Sequence, residues 1–141
     1  MRRSAFCAVL AVVFCLAFLP VPTGTTGQSD LAYELRFNIY RVVFTEPFES
    51  VLFLFRDGTI FIYTTHEENI ISIPSGVLLQ RFQELKRDPK DILLVVHNHL
   101  DPGRFSALDI AFYYRLRGYG FNGVFGIYYP ASNHFVELKE R

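Results

Sequence analysis

Ile92-Leu93-Leu94-Val95-Val96 is apolar at five successive positions. Side chains of a strand alternate between two faces, so such a run needs cover on both. The stretch predicts a central strand within a layered α/β domain, and its polar end carries the interest. It runs into His97-Asn98-His99, and after a short loop comes Ser106-Ala107-Leu108-Asp109.

The segments around it fit one domain. Leu35 to Thr45, with Phe37, Ile39, Val42, Val43 and Phe44, reads as a strand. Ser50 to Phe55 reads as a buried strand, Arg56-Asp57-Gly58 as a hairpin turn, and Thr59 to Tyr63 as the return strand. Ser75 is placed to cap a helix to about Arg87, whose apolar face is Val77, Leu78, Phe82 and Leu85. A second helix starts at Ser106 and runs to about Arg117, where Gly118 and Gly120 stop it. Gly123 to Tyr129 reads as a strand broken by Pro130, and His134 to Leu138 alternates as a final edge strand does. The expected order is β-β-β-α-β-α-β-β, in an α/β (α+β) domain with a mixed sheet flanked by helices. No internal repeat or second linker divides it.

The N-terminus has a different character. Met1-Arg2-Arg3 is basic, Ala5 to Leu19 is apolar without a charge, and Pro20 to Gln28 is rich in Pro, Gly and Thr. This is the three-part layout of a secretory signal peptide. The apolar run is short for a bilayer span of about 20 residues. The expected division is therefore a leader over 1–28, cut near Gly27, and a domain over 29–141. The destination is outside the cell or the periplasm, or the membrane surface if the leader stays as an anchor. Both cysteines, Cys7 and Cys15, lie in the leader. The domain then has neither disulfides nor thiolate chemistry. Without Arg2 and Arg3 the net charge moves from zero to about −2, and no basic patch points to nucleic acid.

His97 and His99 share a face if strand geometry persists to the end of the run. With Asp109 they make a set of two imidazoles and a carboxylate, which suits Zn²⁺ and leaves a fourth position for water. Two plainer readings stand beside this. The histidines can be an ordinary strand-end pair, and Ser106-x-x-Asp109 is also a capping box. A hydrolytic zinc site needs a base for its water. Glu49, directly before the Ser50 to Phe55 strand, is the candidate, with Glu46 as competitor. His66 and His134 read as surface histidines.

The succession of Glu49, a strand and hairpin, a helix, an apolar strand ending in His97-Asn98-His99, and Ser106-x-x-Asp109 resembles the JAB/MPN metalloprotease family with its JAMM motif. The phrase Leu94-Val95-Val96-His97-Asn98-His99, with Ser106-x-x-Asp109-Ile110-Ala111, is most similar to the bacterial RadC-type branch. The resemblance spans roughly Phe44 to Leu138. It implies a cytidine-deaminase-type three-layer fold, zinc on His97, His99 and Asp109, Glu49 as general acid/base, and Ser106 as an oxyanion donor. A zinc peptidase or isopeptidase acting on a peptide or protein substrate follows from it. Two positions depart from the family pattern. Leu100 stands where proline is usual, and the loop Leu100 to Leu108 is one residue short. An inactive binding module of the same fold and the DNA-repair role of the RadC name are the alternatives, the latter opposed by the leader and the charge.

Overall fold

The computed structural model describes residues 25–64 and 73–140. The leader as far as Gly24, both cysteines and His66 lie outside these residues.

Five strands form one mixed sheet: β1 (Ser50–Phe55), β2 (Ile60–Thr64), β3 (Ile92–Asn98), β4 (Val124–Tyr129) and β5 (His134–Glu137). Their order in space is β2-β1-β3-β4-β5, so β3 is central. It pairs antiparallel with β1 and parallel with β4, while β2 and β5 pair antiparallel at the two edges. Among the described residues there are four α-helices: α1 (Thr25–Glu34), α2 (Ile39–Val43), α3 (Ser75–Glu84) and α4 (Ala107–Gly118). No described helix is long and apolar enough to cross a membrane.

Alternation along the strands makes two cores. Val51, Phe53, Phe55 and Val95 pack with Leu78, Phe82, Phe112 and Leu116 of α3 and α4. Leu52, Leu54, Leu94 and Val96 pack on the other face with Ala32, Leu35, Tyr40 and Phe44 from the α1–α2 region. Every residue of β3 is buried, as its unbroken apolar run requires. Burying each large apolar side chain contributes about 1.5–3 kcal/mol. The layers are therefore held by both faces of β3 rather than by one.

The segment expected as a first strand is not one. Leu35–Phe37 is a 3₁₀ turn and Ile39–Val43 is helical. Tyr40 and Phe44 are buried four residues apart, while Val42 between them is 66% exposed. That is a helical period, which the β-branched composition concealed. The observed order is thus α-α-β-β-α-β-α-β-β. The α1 helix crosses the expected leader boundary, with Gln28 and Ala32 buried on it.

The α3 helix also differs at its ends. Pro74, not Ser75, stands at the N-cap position, and Val77 faces outward. The helix stops at Glu84 instead of Arg87. Lys86 adopts a left-handed conformation at φ 53°, and the Arg87 amide donates to the Phe82 carbonyl at 2.8 Å. This is a Schellman ending with lysine in the place glycine usually takes. The hairpin turn is as expected, with Gly58 at φ 82° and Asp57 accepting from the Thr59 amide at 3.0 Å.

Candidate metal centre

The site lies where β3 ends and α4 begins. In open α/β sheets, ligands gather outside the carboxyl ends of the strands. Val95 belongs to the core on the α3–α4 side, and the two-residue period carries His97 to the same face. His99 lies just past the strand but keeps its place, because its amide donates to the Tyr128 carbonyl at 2.9 Å. The Ser106 hydroxyl accepts from the Asp109 amide at 3.1 Å, and the Ser106 amide donates to Asp109 Oδ2 at 2.6 Å. Both halves of the capping box are therefore formed. Capping and ligation are not rivals here, since the box fixes the carboxylate that faces the histidines.

The three side chains converge. His97 Nε2 is 3.0 Å from Asp109 Oδ1, and His99 Nε2 is 3.4 Å from Asp109 Oδ2. The two Nε2 atoms face each other at 2.9 Å. A tetrahedral zinc with bonds of about 2.0–2.1 Å sets its ligand atoms about 3.3 Å apart. The triangle of donors is close to that size, so the group can hold a metal ion. The loop one residue shorter than the family pattern does not put Asp109 out of reach.

The electrostatics agree with the geometry. Burial pushes the His97 pKa down, against the pull of Asp109. Burial also opposes protonation of His99, but hydrogen bonding to Asp109 and its charge outweigh this and raise it. Burial would raise Asp109, yet the hydrogen bonds from His97 and His99 hold it far below the usual carboxylate range. His97 Nδ1 is buried and has no hydrogen-bond partner among the described residues. Packing against Phe125, at 5.8 Å between ring centroids, helps to orient this ring.

Glu49 and Glu46 separate clearly, for Glu49 is buried and Glu46 exposed. Val51 pairs with His97, and continuing that antiparallel register sets Glu49 opposite His99. Burial raises the Glu49 carboxyl, His99 opposes this, and the Asp109 charge raises it further. The register thus sets it on the side of the sheet end where His99 stands. Ser106 is exposed at the mouth of α4.

Two residues of the site were not singled out in the sequence. Asn98 is fully buried. It accepts from the Ser50 amide at 2.7 Å and donates to the Phe48 carbonyl at 3.1 Å. It thereby grips the backbone on both sides of Glu49. A polar residue at the end of an otherwise apolar strand was the signal for it. Tyr129 presents its ring edge-on to His99 at 6.0 Å, and its hydroxyl donates to the Gly103 carbonyl. It joins β4 to the loop between the ligands, a contact no local pattern encodes. His134 stacks on Tyr129 at 6.4 Å and remains exposed, outside the donor set.

Comparison of the chain with protein-family models, with curated proteins and with solved structures returns no match. The site's own chemistry carries the functional reading. What it supports is a mixed α/β domain with a His-His-Asp group able to bind a metal ion.

Proposed function

We propose that this chain is a zinc-dependent hydrolase of the JAB/MPN type, a peptidase or isopeptidase working outside the cytoplasm. The observation that carries the reading is the convergence of His97, His99 and Asp109 with a buried Glu49 set opposite His99. Two imidazoles and a carboxylate form the donor set of a hydrolytic zinc site, and the sheet flanked by helices on both faces is compatible with the three-layer fold of that family. Export is supported by Arg2-Arg3 and the apolar Ala5 to Leu19 run.

His97, His99 and Asp109 would hold the ion. When bound, it supplies Lewis acidity, polarising a substrate carbonyl and lowering the pKa of water towards about 7. Glu49 takes a proton from the attacking water and later gives it to the leaving amine, so that water adds across the amide bond. Its raised carboxyl suits both halves of that transfer. The Ser106 oxygen already accepts from the Asp109 amide, which leaves its hydroxyl hydrogen to meet a developing oxyanion.

Metal analysis of the purified domain tests the first half: close to one zinc per chain in the wild type, none in His97→Ala with His99→Ala. Glu49→Gln tests the second. It should retain zinc and fold while turnover on a peptide library falls by roughly 10²–10⁴, with Glu46→Gln near wild type. Stoichiometric zinc in the double variant, or cleavage unchanged in Glu49→Gln, would refute the mechanism.

A further inference from the structure

A groove of about 520 Å³ opens beside the triad, within the size range of ligand sites. One wall is the loop between the ligands, with Arg104 and Phe105; the other is the β4–β5 end, with Tyr129, Ser132, His134 and Val136. Its continuity with the metal centre is direct. Tyr129 touches His99 on one side and binds the Gly103 carbonyl on the other. Whatever enters the groove therefore lies against the residues that join His99 to Asp109.

The lining selects by chemistry. Phe105 packs towards the core, 6.2 Å from the Phe125 ring, and with Val136 gives an apolar floor. Arg104 is exposed and forms no ion pair among the described residues. It is an uncompensated cation on the wall of an apolar groove. The shape matters as well. Pro102, Gly103 and Arg104 on one side and Ser132 and His134 on the other are exposed, so a chain can pass through without ending there. Val136 and His134 share a face of β5, which is the edge of the described sheet. An edge strand leaves one row of backbone groups outside the ladder, the usual dock for an extended peptide.

We propose that this groove seats an extended peptide segment carrying an apolar side chain next to an acidic one. The apolar side chain lies over Phe105 and Val136, and the neighbouring Asp or Glu meets Arg104. The proposal rests on the hydrolase reading for its meaning, but binding can be measured without turnover.

The probes are acetylated, amidated dodecapeptides with one central pair: Leu-Glu, Leu-Gln, Leu-Lys or Ser-Glu. A fifth peptide ends in a free carboxylate in place of the acidic side chain. Binding to zinc-loaded Glu49→Gln is read by fluorescence polarisation, and cleavage by the zinc-loaded wild type by mass spectrometry. Leu-Glu should bind at least tenfold tighter than Leu-Lys and than Ser-Glu. Arg104→Glu should reverse the Glu-over-Lys preference, and Val136→Trp should weaken Leu-Glu about tenfold; both should keep their zinc. Preferential binding without cleavage would leave the groove in place and remove the hydrolase. Cleavage without preference, or unchanged by Arg104→Glu, would overturn the groove and spare the hydrolase. Preference for the free carboxylate alone would overturn the passing-chain form, and neither binding nor cleavage would overturn both.

Discussion

At the scale of single residues, the site depends on a side chain that does no chemistry. Asn98 is the last residue of β3, with His97 before it and His99 after it. Its two hydrogen bonds hold the Phe48 carbonyl and the Ser50 amide, so the chain around Glu49 cannot drift from β3. Asn98→Ala would leave the buried Ser50 amide and the half-buried Phe48 carbonyl without that partner, at about 1–3 kcal/mol for the buried amide and less for the other. We expect a loss of about 2–4 kcal/mol in urea unfolding, zinc retained on His97, His99 and Asp109, and turnover reduced with Glu49. A variant with wild-type stability and turnover would show that Asn98 holds nothing that matters. The histidines and Asp109 were legible because spacing alone brings them together: two residues apart on a strand, then a capped helix start. Asn98 was less so, because its partners stand about fifty positions away in the chain. Tyr129 was not legible at all, since it enters the site only through the parallel pairing of β3 and β4.

Among elements, legibility followed length and burial. β1, β3 and β4 were readable because each is a long apolar run with a turn signal nearby, and the α4 start because Ser106 and Asp109 form a full box. The stretch from Leu35 to Thr45 misled. Its Ile, Val and Phe content favours a strand, but propensity yields to packing against α1 and the sheet. Arg36 helps to hide the mismatch by lying over the exposed Phe37 ring at 4.5 Å. The two assignments make opposite demands on Val42. A strand that buries Tyr40 and Phe44 must bury Val42 with them, whereas the α2 helix turns it to solvent. Val42→Asp should therefore change stability by no more than about 0.5 kcal/mol. Phe44→Ala should cost about 3–5 kcal/mol, as a buried phenylalanine does. Denaturant melts of the two variants check this, and equal large losses would restore the strand.

For the whole molecule, the candidate metal centre is a joint between layers. His97 sits on the central strand, Asp109 on the first turn of α4, and Glu49 directly before β1. An ion bound there ties β3 to α4 only when the domain is folded, so its binding free energy adds to stability. A ligand at one hundred times its Kd contributes about 2.7 kcal/mol. For a domain of this size that is a rise in Tm of roughly 10 °C. Thermal melts with zinc and after chelation should differ by about this much in the wild type and not at all in His97→Ala with His99→Ala. The pH dependence has a definite sign. In the metal-free protein Asp109 holds the His99 pKa above its usual value. That proton stabilises the metal-free fold below the unfolded histidine range and stops doing so as pH rises through the raised value. Zinc needs the neutral ring and must displace the same proton. Both effects shrink the zinc increment as pH falls, beginning above the ordinary histidine pKa of about 6.5. The gap between zinc-loaded and chelated melts should thus be full near pH 8 and narrow steadily towards pH 5. A gap independent of pH would mean that the stabilising ion does not bind through His99. A purely acidic surface site would keep its gap across that range, because carboxylate ligands do not exchange protons with the metal near neutral pH.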